Sequence, residues 1–455
     1  MSHPDGRMIL ATFIHNAGGH PAGWRYEPTG AIDQHDFQHY ARMARSAERA
    51  KLHIYFSGDS QGYPHLKGRD AFMSSDWAGK LEPTTLLAAL AAVTTDIGLI
   101  ATASTTYNEP YALARRFASL DHISGGRVGW NVVTSGSDNE AHNFGLPTQI
   151  EHDERYRRAA EFVEVAKCLW DSWEDGAHLR DQASGRYFDP DRVHALYHRG
   201  PHFSVEGPLN VGRPPQGHPV IVQAGDSEAG RQLGARTADL IFTPPQSLVD
   251  AQRFYAEMKR RAADCGRDPR HLLIIPSVRF LVRSTEREAQ RVNDELRALI
   301  PDPVTVARLE MRLGVDLPAR SLDEPLPDLP VSTADPALQQ LVATARAEGW
   351  TVRQLARRAF VSRGAFQFAG TPEAIAELCA TWLRESAADG FSLSPDYHPS
   401  GLEEFLSEVV PVLQRSGLFR SEYEGRTLRE NLGLPRPSNR FVESPALGGE
   451  PNIWA

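Results

Sequence analysis

The residues best suited to chemistry stand at or directly behind short apolar runs. Phe13, His20 and Trp24 end or follow the first run, Phe56 and Asp59 the second, Ser104 the third, Asn131 the fourth, and Ala224-Gly225-Asp226-Ser227 the fifth. Hydroxyl, amide and carboxyl groups beside aromatic rings suit a flat heteroaromatic ligand with several donor and acceptor edges, because each polar edge needs a partner once it leaves water. A flavin ring fits that description. Ala224 to Gly230 passes from an apolar run into a helical pattern, so its free N–H groups and the Ser227 hydroxyl suit an anion such as a phosphate. Asp226 and Ser227 would equally serve as helix caps. His152 and Tyr156, four residues apart at the start of a long helical pattern, share one face; they either reach the same anion or form an ordinary surface pair.

Other chemistries find little support. Among 17 histidines, His35/His39 and His198/His202 have i, i+4 spacing, but neither pair carries the Glu of an HExxH helix, so no metal site is expected. No GxSxG nucleophile elbow or GxxxxGK phosphate loop occurs, and Gly18-Gly19 runs into His-Pro instead of opening a GxGxxG turn. Cys168, Cys265 and Cys379 lie far apart without CxxC spacing, which argues for a reducing compartment. With 49 Lys+Arg against 58 Asp+Glu the net charge is −9 and no basic run is present, so nucleic acid is not an expected partner. No apolar stretch is long enough to span a bilayer and residues 1–7 are polar, so a soluble cytoplasmic protein with no membrane partner is expected.

Bringing those residues together demands an alternation of strands and helices, and the 455-residue chain has one. Apolar runs at 8–14, 53–56, 97–103, 128–133, 219–224, 240–242, 272–282 and 390–393 read as strands. Helical patterns fall at about 33–51, 82–94, 110–122, 153–173, 227–238, 248–263, 285–299, 371–387 and 402–413. Eight parallel strands with helical crossovers close most naturally into a (β/α)8 barrel, an α/β fold whose functional groups sit at the strand C-termini. The Gly/Pro/His-rich stretch 174–218 and the proline-rich, partly helical stretch 301–364 read as long loop insertions in one domain spanning 1–455, with a tail from about 416 packing on the barrel or on a second subunit.

Several longer stretches carry a family pattern: Gly19-His20-Pro21-Ala22-Gly23-Trp24-Arg25, the run from Ala101 to Tyr111, the run from Ala114 to His122, Gly129-Trp130-Asn131-Val132-Val133-Thr134-Ser135, the run from Gln216 to Gly225, and Gly417-Leu418-Phe419-Arg420. The chain resembles the nitrilotriacetate and dibenzothiophene-sulfone monooxygenase family of the bacterial luciferase-like superfamily. That resemblance implies a (β/α)8 TIM barrel that takes reduced FMN from a separate NAD(P)H:flavin reductase. It also implies that O2 oxygenates a small organic substrate through a flavin peroxide, with oxidative C–N or C–S cleavage among the outcomes, and that the chain assembles as a homodimer or homotetramer. Carried over residue by residue, Asp59, Ser104 and Asn131 resemble the contacts to the flavin ring, and His152, Tyr156 and Ser227 those to its phosphate. Phe13, His20 and Trp24 resemble the substrate-side wall, and Phe56 is expected to join Phe13 and Trp24 in the substrate pocket; Phe13, Phe56 and Trp130 would exclude water. Asn131 or His20 would hold the reacting oxygens, and His20 is the choice for proton transfer because imidazole titrates near neutrality. Departures lie at His53 and Gly58, where related chains carry an acidic residue and Ala, and in the segment Gln61 to Trp77. A deazaflavin- or NAD(P)H-dependent oxidoreductase on the same fold and a metal-dependent (β/α)8 hydrolase are the alternative readings.

Overall fold

Runs of aliphatic and β-branched residues build parallel strands that must be covered on both faces, and here they close on themselves. The structure, a computed structural model, describes residues 6–14, 17–30, 32–63, 70, 73, 79–245, 247–317, 322–326, 333, 336–359 and 366–443. His15, Asn16 and most of 61–77 lie outside the described residues, as does the tail beyond 443. The strands are β1 (Ile9–Phe13), β2 (Ile54–Ser57), β3 (Gly98–Ser104), β4 (Val128–Val133), β5 (His198–Arg199), β6 (Ser204–Val205), β7 (Val220–Gln223), β8 (Leu240–Thr243), β9 (Leu273–Val282), β10 (Phe366–Gly370) and β11 (Gly390–Pro395). In the order β11-β1-β2-β3-β4-β7-β8-β9 they pair in parallel, and β9 returns to β11, giving the expected eight-stranded barrel.

Strand β9 makes the closure. Leu273–Pro276 pair with Leu240–Thr243 of β8, whereas Ser277–Phe280 pair with Ser392–Pro395 of β11. Its upper half, Val278 to Val282, also carries β10 as an extra strand, which sequence periodicity did not suggest. The antiparallel β5–β6 hairpin lies inside the 174–218 insertion. Within 301–364, helices Asp302–Leu313, Pro336–Glu348 and Val352–Ala359 pack around Leu309, Leu313, Leu338, Val342 and Leu355 as a small core of their own.

Successive strand residues face opposite sides of the wall, and this parity sorts the interior. Ile9, Ala11, Ile54, Ile100, Val220, Val222, Leu240, Leu273 and Ile275 fill the lumen. Trp130, expected at the cavity wall, instead faces outward, where it is fully buried against Phe117, Phe162 and Trp170 and donates its indole N–H to Ala103 O at 3.0 Å. Helix starts follow local chemistry. Asp36 caps helix Phe37–Arg49 by accepting from Gln38 N, Thr285 caps Glu286–Ala298, and Thr371 caps Pro372–Arg384. At the other end of helix Pro110–Ser124, Gly125 takes the left-handed conformation (φ 71°) that favours glycine.

The tail folds under the barrel. Leu428, Leu432 and Leu434 join the lumen cluster from its N-terminal end, and a Cβ on Gly98 would collide with Leu428. Arg429 fixes this plug by pairing with Asp239 at 2.7 Å and donating to His218 O at 2.9 Å, while Arg420 donates to Lys51 O and Leu52 O. Leu428→Ala would leave a cavity under the strands, so an unfolding free energy lower by about 2–5 kcal/mol is expected in denaturant melts; a loss within about 0.5 kcal/mol would show that the plug is dispensable.

Candidate functional site

A cavity of about 490 Å³ opens at the C-terminal end of the strands, where such barrels carry their functional groups. Its floor is aromatic: Phe56 packs on Phe13 and on Phe242, each with ring centroids 4.6 Å apart. Gly58 permits this, because a Cβ there would lie 2.9 Å from the Phe13 ring. The departure at Gly58 is thus a requirement of the floor. The other departure, His53, immediately precedes β2, where its Nδ1 accepts from Leu10 N at 3.2 Å.

Above the rings the wall turns polar. Asn131 points inward from β4 and donates through Nδ2 to Thr102 Oγ1 at 2.9 Å. Its Oδ1 is buried and has no partner among the described residues. An unpaired buried acceptor costs on the order of 1–3 kcal/mol, and such a group at a cavity wall is a place for a ligand donor. Asp59 enters from the loop after β2, with Lys80 Nζ 3.3 Å from Oδ1. Burial pushes its carboxyl above the usual value, against the opposing pull of Lys80. Ser104 is buried at the end of β3; its hydroxyl accepts from Thr106 N at 3.1 Å and meets Ser135 Oγ at 3.0 Å.

The opposite end of the cavity runs to Ala224 and the loop behind it. A Cβ on Gly225 would stand 2.8 Å from the Tyr156 hydroxyl, so the backbone passes close beneath that phenol. Ser227 accepts from Gly230 N at 3.2 Å and caps helix Glu228–Thr237. His152 lies one turn before Tyr156 on helix His152–Asp171 with ring centroids 4.9 Å apart, and its Nδ1 meets Asp153 Oδ1 at 2.8 Å. Tyr156 and Ser227 therefore flank one loop, with His152 beside Tyr156 and more exposed. Asp59, Asn131, Phe13 and Phe56 line the cavity itself; the buried Ser104 and His20 do not, and neither does Trp24, which is 41% exposed in the short helix Gly23–Arg25. Arg279 and Asp396, which no local spacing signals, lie 117 positions apart in sequence and pair at 2.5 Å in the wall.

The sequence profile of luciferase-like monooxygenases matches residues 8–390. The chain belongs to that family. Nitrilotriacetate monooxygenase component A of Aminobacter aminovorans is 47% identical over 96% of this chain and 98% of its own length. N-acetyl-S-(2-succino)cysteine monooxygenase of Bacillus subtilis (strain 168) is 45% identical over 96% of this chain and 99% of its own length. The solved structure of EDTA monooxygenase from Chelativorans sp. BNC1 superposes with a TM-score of 0.79 at 34% identity, covering 94% of this chain and 99% of that one. The chain is accordingly a reduced-flavin-dependent monooxygenase, and neither a hydride-transferring oxidoreductase nor a metal hydrolase is favoured. Among the described residues no group of three or more His, Cys, Asp and Glu is placed to hold a metal, and no helix is long and apolar enough to cross a membrane.

In this luciferase-like monooxygenase His20 does not titrate near neutrality. The ring is 2% exposed, and burial drives its pKa from 6.5 down to about 4, with Asp396 opposing and Arg279 assisting. Nδ1 accepts from Ala22 N at 3.1 Å, which leaves the proton of the neutral ring on Nε2. The unfolded chain takes up a proton on His20 below about 6.5, whereas the folded enzyme does so only near 4, so stability is full above 6.5 and falls as pH drops between those values. The shift corresponds to about 3 kcal/mol at most. Urea melts from pH 4 to pH 7 should show a shallower fall for His20→Asn than for the wild type; parallel profiles would contradict the buried neutral imidazole.

Proposed function

We propose that the monooxygenase binds reduced FMN in this cavity, receives it from a separate NAD(P)H:flavin reductase, and uses O2 to oxygenate a small organic substrate. The single observation carrying this reading is the unpartnered Asn131 Oδ1 above an aromatic floor, a buried acceptor that suits the N–H edge of a flavin ring. Asp59, Ser104 and Asn131 hold the ring edges. His152, Tyr156 and Ser227 receive the phosphate together with the first N–H groups of helix Glu228–Thr237, a reading supported by the close pass of Gly225 under Tyr156. Bound reduced flavin supplies the two electrons that allow one oxygen atom of O2 to enter the substrate and the other to leave as water.

The chain's own residues position and protect. Phe13 and Phe56 keep water from the reacting face. His20, held neutral, keeps a proton on Nε2 for an oxygen acceptor, and Asn131 is its partner in that task. The enzyme works as a single barrel domain in the cytoplasm and as a homodimer or homotetramer; three free cysteines support the reducing compartment.

With a generic NADH:FMN reductase, oxygen uptake and oxygenated product should both require this protein. Asn131→Leu should weaken FMN binding by about tenfold in fluorescence-quenching titrations, and an unchanged affinity would remove Asn131 from the site. His20→Ala should bind FMN nearly as the wild type does but yield less product per O2 consumed; unchanged coupling would exclude His20 from proton handling.

A further inference from the structure

The cavity wall holds a cation whose best hydrogen-bonding edge is unused. Arg279 faces inward from β9, lines the cavity, and has a side chain only 10% exposed. Its Nε donates to Asp396 Oδ1 at 2.5 Å, while Asp396 Oδ2 accepts from Gln367 Nε2 at 2.7 Å. Asp396 thus orients the guanidinium from one side and has both oxygens engaged. Nη1 and Nη2 of Arg279 have no acceptor among the described residues. N–H donors of a charged group that open onto a cavity are free to meet a ligand, and the terminal edge of a guanidinium offers two parallel N–H groups spaced for the two oxygens of a carboxylate. Ser277, two residues earlier on the same strand face, and Ser394, paired in register with Arg279, also line the cavity and add hydroxyl donors beside that edge. Lys80, also in the wall, is already set against Asp59.

We infer that Arg279 anchors a carboxylate of the substrate through its Nη1–Nη2 edge, so that the enzyme selects small organic acids over their neutral analogues. This rests on the reading that FMN occupies the same cavity, with its ring toward Asn131.

The test uses the FMN-loaded enzyme and two acid probes, nitrilotriacetate and N-acetyl-S-(2-succino)cysteine, each against its methyl ester, in calorimetric titrations. Wild type should bind at least one acid at least about tenfold more tightly than its ester, and Arg279→Gln should abolish the preference. Should that variant misfold because Asp396 is left unpaired, the double variant Arg279→Gln/Asp396→Asn removes both charges together and should fold yet still lack the preference. Arg279→Lys keeps the charge but not the paired N–H edge and should lose most of it. FMN affinity, measured by quenching, should stay near wild type throughout. The inference is overturned by a wild type that binds no acid better than its ester, by a folded variant that keeps the preference, or by acid and FMN affinities falling together, which would assign Arg279 to the flavin. Failure of wild type to bind FMN at all would instead overturn the reading of the cavity.

Discussion

Phe13, Phe56 and Phe242 stack across the lumen, and their contact decides where a packed barrel interior ends and a cavity begins. Below them the lumen is aliphatic and filled. Above them it is polar and open. Because strand side chains alternate, three rings facing inward at that level fix which residues of the neighbouring strands reach the cavity: Thr102 and Asn131 on one side, Ser277, Arg279 and Ser394 on the other. The chemistry of the rim is thus set by the same parity that packs the core.

A polar rim of this sort is destabilising unless its groups find partners, and most of them do. Asp396 holds Arg279 and Gln367, Lys80 meets Asp59, and Asn131 uses one of its two amide ends on Thr102. Among the described residues Asn131 Oδ1 and the Nη edge of Arg279 have no protein partner, and both residues border the space a ligand would fill. The opposite end of the barrel shows the contrary solution. There Leu428, Leu432 and Leu434 close the lumen with apolar side chains, and Arg420 and Arg429 satisfy backbone carbonyls around them. Stability is drawn from the floor of the barrel and function from its mouth.

The barrel was legible because strands buried on both faces read as unbroken aliphatic runs, and all eight runs became barrel strands. Helix starts were legible to within a few residues wherever a capping side chain stood at the boundary, as Ser227 and Thr285 do. The extra strand β10 was not, since its Phe-Gln-Phe-Ala-Gly sequence is short and its pairing with β9 is a tertiary event. Trp130 could have been placed correctly: if Asn131 faces the lumen, its neighbour must face the helices. Arg279 and Asp396 had no such signal, because nothing in either local sequence announces a partner 117 residues away. Ser104 and Ser227 were singled out as ligand contacts, and in the structure both hydroxyls also serve the protein's own hydrogen bonding.

A crystal of the enzyme soaked with FMN tests the central claim directly. The isoalloxazine ring should lie over the Phe13, Phe56 and Phe242 floor with an N–H edge on Asn131 Oδ1, and the phosphate between Tyr156 and the Gly225 to Ser227 loop. Density for the ring outside that mouth, or a phosphate far from Tyr156, would contradict it.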